Sequence, residues 1–120
     1  MSEKYDLTVV NQWIDEISES DLYPNFLIQL QKDLGRAGID YCIKSKAPRD
    51  LFSEIAHVLL DKLQNAFNEY LNLLYAVDVS EAKVRAIDSE NSEDIAEHVT
   101  YLILQREWQK VWFRNKQSKK

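Results

Sequence analysis

The sequence predicts an all-α protein, a compact bundle of about five helices, and three observations predict it. Gly and Pro are scarce: two of each stand in 120 residues, where average usage would place roughly eight and six. The good helix formers Leu, Lys, Glu and Gln are abundant,. Apolar residues recur at three- and four-residue spacing over long stretches. The length fits one domain covering residues 1–120, because single cores usually occupy about 100–150 residues. A hydrophobic share of 45% with three Trp, six Tyr and four Phe excludes a disordered chain,.

Leu7, Val10, Ile14 and Ile17 recur at helical spacing and predict a first helix over about 5–18,. Ser18-Glu19-Ser20-Asp21 breaks it, with Ser20 or Asp21 as candidate N-caps of the next helix,. Pro24 stands where a first-turn proline is tolerated,. Phe26, Leu27, Leu30 and Leu34 predict a second helix over about 22–36, ended by Gly35 or Gly38,. Three of the four Gly and Pro residues lie at 35–48, so the long interruption falls there. Within it, Ile39-Asp40-Tyr41-Cys42-Ile43 fits a short extended segment or a continuation of helix,. The irregular or extended form is the expectation for 37–47.

Pro48 opens the strongest element, one helix over about 48–76. Its face of Phe52, Ile55, Leu59, Leu63, Phe67, Tyr70 and Leu74 is so wide that the sequence puts this helix at the centre,. Val77-Asp78-Val79 turns the chain, and Ser80 caps a short helix over about 80–87,. After a polar loop, Ser92 is the expected cap of a last helix over about 92–115. Its first turn holds Glu93 and Asp94, as the helix dipole favours,. Residues 116–120 are expected to fray,.

The longest apolar runs, such as Val58-Leu59-Leu60, are far from the roughly 20 residues a membrane span needs,. No apolar run follows the charges of Met1–Asp6, as a secretory signal would require,. Cys42 is the sole cysteine, which excludes an internal disulfide and a CxxC zinc site,. Together these predict a cytoplasmic protein. The formal charge of −5 hides an asymmetry. Residues 1–100 carry 9 Lys/Arg against 19 Asp/Glu, and residues 101–120 carry 6 against Glu107 alone.

The last helix has two apolar sides. At 100° per residue, Ile95, Val99, Leu102 and Ile103 share one side, continued by Arg106, Lys110 and Arg114,. Tyr101, Trp108 and Trp112 lie on roughly the opposite side. Either other helices of the bundle cover both sides, or the aromatic one meets a partner or a second copy. Trp, Tyr and Arg are the residues enriched at binding hot spots. The candidate interaction surface is therefore Tyr101, Trp108, Trp112, Arg106, Lys110 and Arg114. The basic stripe could also neutralise phosphates, with the aromatics stacking on bases. An acidic body argues against nucleic acid, which stands as the alternative.

Catalytic and metal motifs are absent. Glu54 and His57 have the Glu-x-x-His spacing of di-iron helix bundles, but His98 has Ile95 three positions earlier and no second pair exists,. Asp94 and His98 at i and i+4 are the other loose pairing, so no metal and no cofactor is expected. Cys42, between Tyr41 and Ile43, reads as a buried and inert thiol,. Gly35-Arg36-Ala37-Gly38 lacks the GxGxxG pattern of a nucleotide loop,. The expectation is a protein that is not an enzyme.

The run Leu73-Leu74-Tyr75-Ala76-Val77-Asp78-Val79-Ser80-Glu81, with Ile103–Glu107 and Gln109-Lys110, resembles a family of small, all-helical, uncharacterised bacterial proteins. The resemblance covers mainly the C-terminal half and implies a bacterial cytoplasmic helical protein. It carries no activity, cofactor or site residue.

Overall fold

The structure, a computed structural model, describes residues 6–45 and 47–118. It is an all-α bundle with six helices among the described residues: α1 Leu7–Ser18, α2 Tyr23–Arg36, α3 Pro48–Asn65, α4 Phe67–Val77, α5 Glu81–Arg85 and α6 Ser92–Ser118. None of these helices is long and apolar enough to cross a membrane.

Local chemistry sets the helix ends. Asp6 caps α1 by accepting from the Thr8 amide at 2.9 Å. Val10, Ile14 and Ile17 then face the core, whereas Leu7 in the first turn stays half exposed. Ser20 Oγ accepts from the Leu22 amide at 3.1 Å, so it shapes the turn before α2 rather than capping that helix. At the far end of α2, Gly38 adopts φ 83°. Its amide bonds to Gly35 O at 3.0 Å, and the Ile39 amide reaches back to Leu34 O at 2.9 Å. This is the Schellman arrangement, with glycine at its left-handed position.

The segment after Gly38 is extended. Ile39, Tyr41 and Ile43 turn inward while Asp40, Cys42 and Lys44 turn out, the two-residue alternation of an extended chain,. Cys42 is consequently exposed, not buried as its neighbours suggest. Side chains stand in for a second strand. Gln31 of α2 donates to Tyr41 O at 2.7 Å and accepts from the Ile43 amide at 2.9 Å. Glu54 of α3 accepts from the Tyr41 hydroxyl and from the Lys44 and Ser45 amides, the latter two at 2.8 and 2.9 Å.

Two expectations need correction. The helix predicted over 48–76 is two helices, broken at Ala66, which adopts φ −149° and ψ 63°. No Gly or Pro marks the spot, and the apolar spacing continues across it. The break redirects α4 so that Tyr70, Leu73 and Val77 are buried where α4 meets α2 and α6. Lys62 spans it with a 3.0 Å ion pair to Glu69. Second, α6 takes the central place expected of the 48–76 helix. His98, Val99, Thr100, Leu102, Ile103 and Leu104 are all buried, so here the helix is covered over most of its circumference, with Glu97, Tyr101 and Gln105 half-buried on the remaining side,.

The remaining ends differ in detail. Ser80 caps α5 as expected, accepting from the Lys83 amide at 3.3 Å. Asn91, not Ser92, begins α6, with Oδ1 accepting from the Glu93 and Asp94 amides at 2.8 and 3.1 Å. Helix α6 runs on to Ser118, so of the expected frayed tail only residues 119 and 120 lie outside the described residues.

A cβ placed on Gly38 would meet no atom within 4 Å, so substitution there strains the backbone without a clash. Gly38→Ala should therefore cost about 1–2 kcal/mol, read as a lower urea midpoint with an unchanged slope.

Candidate functional site

The C-terminal half of α6 has an ionic side and an aromatic side, and the sequence brings each about differently. On the ionic side, the three basic residues expected to line a surface each hold a group of their own chain. Arg106 donates through Nε to Asp78 O at 3.1 Å and through Nη2 to Asp78 Oδ2 at 3.0 Å. Arg114 Nη1 donates to Gln29 Oε1 at 3.0 Å. Lys110 Nζ reaches Asp33 Oδ2 at 2.7 Å and the carbonyls of Ala76 and Val77 at 3.4 and 3.3 Å.

Lys110 thus closes a buried cluster at the junction of α2, α4 and α6. The carboxyls of Asp33 and Glu107 are both inaccessible, and the Lys110 side chain is 17% exposed. Asp33 also accepts from Gln29 Nε2 at 3.2 Å and from Arg36 Nη1 at 3.1 Å. The last carbonyls of α4 carry the negative end of its dipole, which favours an ammonium there. Sequence reading did not select Asp33, Gln29, Asp78 or Glu107. One signal was available: Glu107 is the sole acid among the last 20 residues and stands three positions before Lys110.

The two carboxyls part ways. Burial pushes Asp33 up, but bonds from Glu107, Lys110 and Gln29 and the ammonium's charge outweigh it and hold the group below its ordinary value. Burial pushes Glu107 up to about 9, helped by the bond to Asp33 and its charge, and Lys110 offsets only part of this. Lys110 Nζ stands 3.2 Å from Glu107 Oε1, yet neither Glu107 oxygen accepts a hydrogen bond. A buried carboxylate in that position would be costly. The protonated acid, donating to Asp33, is the species that fits.

The aromatic side is built from packing. Tyr101 meets Trp13 of α1 edge-on at 5.7 Å, and Trp108 meets Phe26 of α2 edge-on at 6.0 Å. Both are half-buried, so the bundle itself covers part of this side. Trp112 is different: it is 46% exposed, with Lys116 Nζ 5.9 Å from its ring centre. Phe113 next to it is 57% exposed. The structure therefore separates the six predicted residues, turning three cations toward the chain's own acceptors and leaving one Trp prominent.

The other pairings are scattered. Glu54 is engaged by the extended segment, and the same three bonds, set against burial, hold its carboxyl below the ordinary value. His57 is exposed between two recesses, one of about 180 Å³ beside Glu93 and Glu97, the other of about 370 Å³ beside Tyr41 and Asp61. Asp94 is exposed, and His98, one turn on, is buried. Among the described residues no group of three His, Cys, Asp or Glu side chains is placed to hold a metal.

Removing the ammonium tests the cluster. Lys110→Met leaves Asp33 buried and charged with only the exposed Arg36 guanidinium beside it, and should cost about 3 kcal/mol in urea unfolding. The pH dependence follows from Glu107, whose folded value of about 9 lies above the ordinary 4.5. The folded state keeps a proton that the unfolded state releases, so stability falls as pH rises through that window, by about 1.4 kcal/mol per unit. Glu107→Gln keeps a donor that cannot ionise. Its urea midpoint should gain on wild type between about pH 6 and about pH 9.

No family model matches the chain, and neither a curated protein nor a solved structure matches it.

Proposed function

We propose that this protein is a non-enzymatic interaction module of the cytoplasm, which docks a protein partner through the aromatic side of α6, Tyr101, Trp108 and Trp112. One observation carries the reading. Trp112 stands 46% exposed on a helix whose opposite side is clamped by ion pairs to α2 and α4. An exposed Trp on a rigid helix binds at low entropic cost, because little has to be ordered when the partner arrives. Trp and Tyr are also the residues that most often dominate binding energy. The cytoplasmic setting is supported by the single cysteine and the short apolar runs,.

Nucleic acid, the alternative, loses the feature that recommended it. Arg106, Lys110 and Arg114 already hold Asp78, Asp33 and Gln29, so binding phosphates would mean breaking those bonds. The outward surface that remains belongs to a chain with an excess of acidic groups.

A photo-crosslinking residue tests the reading directly. Installed at Trp112 it should capture a protein in cells. Installed at Ile28, 68% exposed on the outer face of α2, it should not. Equal capture at the two positions, or none at either, overturns the assignment.

A further inference from the structure

We infer that the partner of this surface is a second copy of the chain, docked so that the two α6 helices run antiparallel. The inference rests on the interaction reading above and adds the identity and orientation of the partner.

At 100° per residue, Asp94, Glu97, Tyr101, Trp108, Trp112 and Lys116 fall within one stripe of α6,. Asp94, Trp112 and Lys116 are exposed, and Glu97, Tyr101 and Trp108 are half-buried. The stripe is graded along its length: two acids at the first turns, aromatics in the middle, a lysine beyond them.

Reversing that stripe against itself matches it. A two-fold axis level with the midpoint between Arg106 and Glu107 sets Glu97 opposite the partner's Lys116, Tyr101 opposite the partner's Trp112 and Trp108 opposite the partner's Gln105,. By symmetry each pairing occurs twice. A parallel pairing would instead put Glu97 against the partner's Glu97 and Lys116 against the partner's Lys116. Such like-charge contacts select against that arrangement. Antiparallel dipoles favour the same choice. An unrelated partner would need its own acid–aromatic–base gradient of this spacing, which the chain already carries.

Size sets the strength. From Asp94 to Lys116 the stripe is about 33 Å long at the helical rise. A ridge of that length and about 10 Å width contributes well under the roughly 800 Å² per partner of a standard interface. The dimer is accordingly weak and reversible, formed in the micromolar range or above.

Sedimentation velocity of the full chain, run from micromolar to millimolar concentration, tests it. Wild type should show a concentration-dependent dimer. Lys116→Glu, on an exposed side chain that bears on no core contact, should weaken it about tenfold, and Glu97→Lys should do the same. Combining the two reversals should restore association to near wild type, because each acid–base pair is re-formed with its signs exchanged. Trp112→Ala should weaken it by at least as much as either reversal. A monomer at every concentration overturns the inference, and so does weakening by the single reversals without rescue in the double variant. If wild type is monomeric while the crosslinker at 112 captures a different protein, self-association falls and the interaction reading stands. If it is monomeric and nothing is captured, both fall.

Discussion

The ammonium of Lys110 holds the fold together at the point where α2, α4 and α6 meet. It lies 2.7 Å from Asp33 and 3.2 Å from Glu107, against the last carbonyls of α4. Placing three ionisable groups out of water would be prohibitive if all were charged. The cluster avoids this by keeping one proton: Asp33 is an anion, Lys110 a cation, and Glu107 a neutral acid. The trio is then uncharged as a unit. Its bonds run to three helices, so no one of these helices can shift without stranding a buried polar group.

Other features that look independent depend on the same junction. The break at Ala66 costs α3 and α4 their continuity, yet it allows the last turn of α4 to present Ala76 and Val77 carbonyls to Lys110. Past that turn Asp78 takes φ 71°, a left-handed conformation that is costly for side-chain-bearing residues, though less so for Asp than for most,. The Arg106 guanidinium, held on both the carbonyl and the carboxylate of Asp78, offsets that strain. The α4 terminus is therefore fixed twice from α6. In turn, the ionic side of α6 faces inward, and the aromatic side is held where Trp112 stands clear.

Much of the fold was legible from spacing alone: the all-α class, the positions of α1, α2 and α5, and the extended passage after Gly38. The features that escaped are those set by distant partners. Ala66 carries no breaker residue, and only the packing of α4 on α2 and α6 explains the break. Lys110 reads as one of a row of surface cations until Asp33, 77 positions away in sequence, appears beside it. Cys42 looked buried because Tyr41 and Ile43 are apolar; in an extended segment, neighbours of buried residues point outward. The two apolar sides of α6 were visible, and so was the reason for them, since a helix at the centre is apolar all round. The width of the 48–76 face obscured that conclusion.

How the bundle covers the aromatic side also bears on what can approach it. Trp13 and Phe26 each meet one ring of the ridge edge-on, from α1 and from α2. Edge-on contact secures Tyr101 and Trp108 while leaving part of each ring open, in contrast to the completely enclosed Ile103 and Leu104 of the same helix,. A side chain fixed in this way has already lost most of its rotamer freedom on folding, so burying the rest of it against another surface costs little more entropy. In the proposed dimer the acids before these rings and the lysine after them set direction, because charged groups at the rim of an interface contribute more to orientation than to affinity. Internal packing and the proposed recognition are in this way not competing accounts of the aromatic side: packing already fixes Tyr101 and Trp108, and the proposed contact adds Trp112 to them.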